Sequence, residues 1–130
     1  GFAAVAAAIR ADIESSNGSE LAMQLEEALQ RLEQVTRHLA GLVVKDPDKG
    51  LANATLYLDC FGHVIMGWMW LRIAQAASRV ATRDGDSDFL RGKHQAARYF
   101  YQRELVRTQG WSQTLMSNDA SAYDMQDGWF

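Results

Sequence analysis

From Leu21 to Leu42 the apolar residues step by four and three without interruption: Leu21, Leu25, Ala28, Leu32, Val35, Leu39 and Leu42. A seam with that period over three repeats can be buried along its whole length only if the segment is one long α-helix laid against other helices. Leu29 and Val43 broaden the seam to the stripe of a helix inside a bundle, and Glu20, Glu26, Glu27, Arg31, Glu33 and Arg37 hold the other side. Ser19 stands where an N-cap is needed. Period-two alternation occurs nowhere, so no strand is predicted.

The remaining pattern extends the helical reading in both directions. Phe2, Val5, Ala6, Ile9 and Ile13 recur at helical spacing before "SSNGS", where Asn17-Gly18 predicts a stop. After the long seam comes the chain's single proline, Pro47, preceded by Asp46. Asp at the N-cap and Pro at the first helical position form a specific start signal, since proline lacks an N–H that is not needed there. A third helix is predicted from here to about Thr82 or Arg83, roughly 54 Å of rod with room for a kink near Gly62 or Gly67. The turn "RDGDSD" closes it, and a fourth helix is predicted from Ser87 and Asp88 towards Met116. Its inward residues are read as Phe89, Ala96, Ala97, Phe100, Leu105, Trp111 and Leu115, with Gly110 as its weak spot. The tail from Ser117 has no periodicity. The fold class read from this is all-α: an antiparallel up-down four-helix bundle of one shorter and three long helices, forming one domain over residues 1–130.

Charge and composition remove several classes of partner. A formal charge of −3 and a pI near 5.5 give no global attraction to nucleic acid or to anionic lipid, so neither is expected as a partner. The longest uncharged apolar run, Cys60 to Leu71, covers 12 residues, against the roughly 20 that a membrane-spanning helix needs. Cys60 is the only cysteine, which excludes an internal disulfide and any cysteine-based zinc motif and fits a reducing, cytoplasmic setting. No basic segment with a cleavage site opens the chain, and Gly1 precedes a helical pattern already under way. The expectation is a fragment of a larger protein.

Three groups of residues could carry chemistry. Asp59 and His63 are four apart on one helix face, where a carboxylate can orient an imidazole or both can hold a metal. No Glu-x-x-His motif accompanies them and His38 and His94 have no matching partner, so a local hydrogen bond is the reading preferred. Cys60 with His63 has the residue types of a nucleophile and its base, but a thiol in an apolar run is raised in pKa and belongs to the core. Arg91, Lys93, Arg98, Arg103 and Arg107, interleaved with Tyr99, Phe100 and Tyr101, could stack and neutralise a nucleic acid. Spread over five turns they cannot share one groove, and salt bridging and solvation are expected instead. No residue is therefore assigned a catalytic, cofactor-binding or metal-ligating role.

The stretch "CFGHVIMGWMW" holds Trp68 and Trp70, about 200° apart around a helix. Ala54, Leu58, Phe61, Ile65 and Trp68 share a narrow sector and are read as the core face of the third helix. Trp70 falls with Asp59, His63 and Met66 on the other side. That side is expected to be left uncovered by this chain and to dock on another domain or subunit.

The run "NATLYLDCFGHVIMGWMWLRIAQAA" and the later "KHQAARYFYQRELVRTQGWSQTL" resemble the extra C-terminal helical domain of acyl-CoA dehydrogenases, in the extended bacterial subgroup that includes the methylmercaptopropionyl-CoA dehydrogenases. The shared features are the Asp-Pro helix start, Tyr57-Leu58-Asp59-Cys60-Phe61-Gly62, Gly67-Trp68, the Ala97 to Tyr101 element and the terminal Phe130. The resemblance implies an oxidoreductase parent in which FAD accepts a hydride as an acyl-CoA becomes its enoyl-CoA, with the base and flavin in upstream domains. For these residues it implies an appended, non-catalytic bundle that packs on the catalytic core and helps shape a homo-oligomer or the acyl channel. The alternative reading is a stand-alone helical adaptor or oligomerisation bundle.

Overall fold

A computed structural model describes residues 1–130, all of them, and it contains helices and no strand. Six α-helices follow in order: α1 (Phe2–Glu14), α2 (Glu20–Lys45), α3 (Pro47–Leu51), α4 (Ala54–Asp84), α5 (Asp88–Phe100) and α6 (Arg107–Met116). A π-helical turn, Tyr101–Leu105, joins α5 to α6, and a short 3₁₀ turn, Asp127–Trp129, lies near the end of the tail. The packed centre is α2 against α4 and α6, with α5 along α4 and α1 along α2.

The helix boundaries follow the expected local chemistry. Ser19 accepts the amide of Ala22, Asp46 that of Lys49 and Ser87 that of Leu90, so the starts of α2, α3 and α5 are each closed by an oxygen that the helix itself cannot supply. Asn17 and Gly18 both take left-handed backbone after α1, with φ of 51° and 73°.

Two helices depart from prediction. The third is not one rod from Pro47 onwards. It stops at Leu51, passes through Asn53 at φ −117° and ψ 33°, and restarts as α4. The reason lies at Gly50, where a Cβ would come within 2.6–2.7 Å of the side chain and backbone of Val43. So close a return of α3 onto α2 turns the chain before the long helix can begin. In the fourth helix the irregularity falls at Tyr101–Leu105 and not at Gly110, which lies inside α6. Phe100 and Tyr101 are adjacent yet both buried. A regular helix splays neighbours about 100° apart, and the widened turn stands where both must enter the core.

The core is built on the α2 seam. Leu25, Ala28, Leu29, Leu32 and Val35 are fully buried, while Leu21, Leu39 and Leu42 flank them half-buried. On α4 the buried line is Cys60, Val64, Gly67, Leu71, Ala74 and Ala77. This corrects the sector expected from sequence. Ala54 and Leu58 are exposed, whereas Phe61, Ile65 and Trp68 are half-buried beside the true line. Phe89 also points outward and Leu90 takes its place.

Size explains the rotation. The leucines of α2 fill the interface, so the facing surface of α4 is made of its smaller residues. At Gly67 a Cβ would already lie 3.2 Å from Leu105 and 3.4 Å from Leu25. The buried Tyr101 hydroxyl donates to the Gly67 carbonyl at 2.6 Å and pins the π-turn to this point of close approach.

Polar ties hold α1 in place. Arg10 donates through Nη1 and Nη2 to both oxygens of Glu33, at 2.7 and 2.6 Å, and through Nε to Glu26 at 3.1 Å. Trp68 Nε1 donates to Asp12 at 2.6 Å, and Gln75 donates to the Asp12 carbonyl and to Ser16. The tail is tied at its start, where His38 pairs with Asn118 and Asn53 donates to the Asp119 carbonyl.

Two outcomes are expected. Gly50→Ala forces Val43 and its backbone aside and lowers the thermal midpoint in a circular-dichroism melt. Gly92→Ala, in open space on α5, is neutral or raises it, by up to about 1 kcal/mol of helix propensity. The second concerns acid. The Arg10 hydrogen bonds hold the Glu33 carboxyl below its ordinary value of 4.5, so on acidification the unfolded chain is protonated first. The stabilisation is full above that value and is lost as pH falls through the lower folded one. In urea titrations from about pH 6 to about pH 3, Glu33→Gln therefore flattens the acid loss of stability, by about 0.5–1 kcal/mol for so solvent-accessible a pair.

Candidate functional site

Around the axis of α4, Leu58, Met66, Met69 and Ile73 fall within about 80° of one another, and they are 66%, 44%, 37% and 38% exposed. This stripe lies roughly 170° from the line Cys60, Val64, Gly67 and Leu71, so α4 buries one apolar face and leaves an opposite apolar face uncovered. The two tryptophans stand between the faces. Trp68 and Trp70 lie about 70° and 90° to either side of the buried line, and both are half-buried against the core.

The expectation that Trp70 marks the uncovered face is thereby corrected. Trp70 packs on this chain's own core, and the uncovered face belongs to Met66, which had been grouped with it, and to Leu58, Met69 and Ile73. Periodicity places all four residues in one sector. It does not say which apolar sector the neighbouring helices occupy.

His63 makes its contacts away from the Asp59 carboxylate. Its Nδ1 donates to the Asp59 carbonyl at 3.1 Å, a bond within its own helix, and its Nε2 faces Glu104 at 3.2 Å. Both partners are acceptors, so both bonds form together only in the imidazolium form. Trp111 meets the ring edge-on at 4.7 Å. Glu104 also accepts from Arg107 at 3.0 Å, and Arg107 lies over Trp111. The Arg107 and His63 hydrogen bonds hold the Glu104 carboxyl below the usual range. The sequence signals the Glu104–Arg107 pair by its spacing, but Glu104 and His63 are 41 residues apart and only the packing of the α5–α6 rod on α4 joins them. The cluster is a structural clasp on the core rim, with Phe100 behind it.

Cys60 is fully buried, and burial pushes its thiol up to about 11 even with Arg31 in the neighbourhood. A thiol so hard to ionise is a poor nucleophile. The basic residues of α5 and α6 disperse, as expected. Arg91 pairs with Asp86 and Asp88, Arg107 with Glu104, and Lys93 sits over Phe89. Arg98 forms no ion pair.

No group of three or more His, Cys, Asp or Glu side chains is arranged to hold a metal ion, and no helix is long and apolar enough to cross a membrane. The family profile described as "Acetyl-CoA dehydrogenase C-terminal like" matches residues 4–126, nearly the whole chain. The chain belongs to the acetyl-CoA dehydrogenase C-terminal-like family. Curated proteins and solved structures give no match. For a member of this family, an all-helical unit with one uncovered apolar stripe on its longest helix is the form of a helical accessory domain.

The placement of Cys60 gives a direct check. A thiol reagent such as DTNB at pH 8 is expected to leave the folded family member unmodified and to react stoichiometrically once urea unfolds it. Rapid reaction of the folded chain would contradict the burial described.

Proposed function

We propose that this chain is the appended helical domain of an FAD-dependent acyl-CoA dehydrogenase, of the extended subgroup that includes the methylmercaptopropionyl-CoA enzymes, and that it is not itself catalytic. The observation that carries the reading is the stripe Leu58, Met66, Met69 and Ile73, uncovered on α4 in a chain of this family. With α6 counted into α5, and the short α3 left as part of the turn between α2 and α4, the domain is read as an up-down bundle of four rods. Its uncovered face docks on the catalytic core of the same polypeptide, where it supports a homo-oligomer or the wall of the acyl channel. Its setting is the cytoplasm.

In this reading FAD supplies the hydride acceptor and belongs to the core domains. The two largest clefts of the chain, about 620 and 570 Å³, are lined by polar, charged and aliphatic residues, and no phenylalanine, tyrosine or tryptophan lines either to stack on an isoalloxazine. No residue here is assigned to the flavin. What these residues contribute is a rigid surface: the α2–α4 core fixes the orientation of α4, and α4 presents two methionines whose flexible side chains adapt to a partner.

The test mixes the separately produced 130-residue chain with the remainder of the enzyme and follows association by analytical ultracentrifugation. Met69→Lys is expected to weaken association about tenfold or more, since burying an unpaired charge in an apolar contact costs over 1 kcal/mol, while its melting curve is unchanged. Trp70→Ser is expected to lower the melting midpoint instead. Association unaffected by Met69→Lys, or self-association of the chain alone through this stripe, would favour the adaptor reading.

A further inference from the structure

A cleft lies on another side of the molecule from the α4 stripe. It measures about 570 Å³ and opens between the α1–α2 connection, α4 and α5. Leu21, Leu71 and Ala74 give it an aliphatic floor, and Leu71 and Ala74 are themselves buried in the core. Its volume falls within the few hundred to one thousand Å³ usual for small-molecule sites.

Donors from α4 and α5 line the same cleft. Arg79 from α4 and Arg98 from α5 both line the cleft, and neither forms a salt bridge or a side-chain hydrogen bond, as is also true of Arg37 and Arg103 elsewhere in the chain, whereas Arg10, Arg72, Arg83, Arg91 and Arg107 each have a carboxylate partner. His94 stands beside them with its Nε2 3.3 Å from the Ser78 hydroxyl. On the facing wall Ser19 accepts the Ala22 amide and so keeps its own O–H to donate. Gln75 is held by Asp12 and Ser16, which fixes that side of the wall. The lining has one carboxylate, Glu20, on the α2 wall, where it accepts from Gln24 at 3.4 Å.

A smaller hollow of about 200 Å³ shares Gln24 and Gln102 with this cleft and is lined by Arg31. Arg31 donates to Thr108 at 3.1 Å, but its buried Nε has no partner. A third guanidinium thus stands without a salt bridge along the same side of the molecule.

Two planar guanidinium forks, an imidazole and hydroxyl donors over an aliphatic floor match a dianion attached to an organic body. We propose that this cleft binds a small phosphorylated organic molecule, its phosphate held by Arg79, Arg98 and His94 and its body resting on Leu21, Leu71 and Ala74. The site is independent of the docking stripe. On α4, Ser78 lies about 180° from Met69 and Arg79 about 80° from it.

The probes are AMP, adenosine and inorganic pyrophosphate, each titrated into the ¹⁵N-labelled 130-residue chain at fixed ionic strength. AMP is expected to saturate with shifts centred on Ser78, His94 and Arg98. Adenosine, lacking the phosphate, is expected to bind at least about tenfold more weakly, and pyrophosphate, lacking the body, likewise. The double variant Arg79→Gln/Arg98→Gln is expected to weaken AMP about tenfold or more with an unchanged melting curve, and Arg103→Gln, a solvent-exposed control, to leave it unaltered. Absence of saturable AMP binding at millimolar concentration overturns the proposal. So does equal weakening by Arg103→Gln, which is the behaviour of diffuse charge attraction, and so do shifts located away from the cleft.

Discussion

The close contact of α4 with α2 and the π-turn at Gly67 is the constraint on which the remaining packing depends. A side chain there would meet Leu25 and Leu105 at 3.2–3.4 Å, and the Gly67 carbonyl accepts the buried Tyr101 hydroxyl. One position therefore sets the distance between the two longest helices and the place where the α5–α6 rod crosses them. Burial pushes the Tyr101 hydroxyl well above its ordinary pKa and keeps it a donor. Once this contact is made, the rotation of α4 follows. Its small residues face inward, its tryptophans straddle the interface and its methionines face out.

Around that centre, charge does secondary work. The Arg10 pairs with Glu26 and Glu33 and the Asp12 bonds to Trp68 and Gln75 attach α1 to two helices at once. The His63–Glu104–Arg107 clasp does the same for the α5–α6 rod. These contacts are partly open to water, so each contributes little alone, and their role is to select one orientation among several that the apolar surfaces would tolerate. The same economy leaves Arg31, Arg37, Arg79, Arg98 and Arg103 without salt bridges, and of these Arg79 and Arg98 line one cleft.

How much of this was legible in the sequence varies by residue. The α2 seam, the three caps at Ser19, Asp46 and Ser87, and the buried, unreactive Cys60 could all be read from spacing and residue type. The outward stripe on α4 could not, because that helix is apolar nearly all round. When every sector qualifies, choosing by side-chain bulk selects Leu58 and Phe61, whereas a close helix contact selects glycine, alanine and cysteine. The break at Asn53 was hidden for a similar reason. A helical pattern continues through it, and only the return of Gly50 onto Val43 interrupts the rod. His63 was paired with Asp59 from spacing along the helix, while its carboxylate partner, Glu104, comes from another rod.

The sequence by itself determined that this protein is all-helical, where most of its helices begin and which face of α2 is buried, because caps and heptad spacing act within a few residues of chain. It also carried, in packing motifs such as Gly67-Trp68, the resemblance to the family that its residues 4–126 match. The tertiary structure alone decided which face of α4 is left uncovered, and it alone brought Arg79 of one helix to the same cleft as Arg98 of another. Those outcomes rest on contacts between segments far apart in the chain, and such contacts are chosen by the fit of whole surfaces, which no local pattern records.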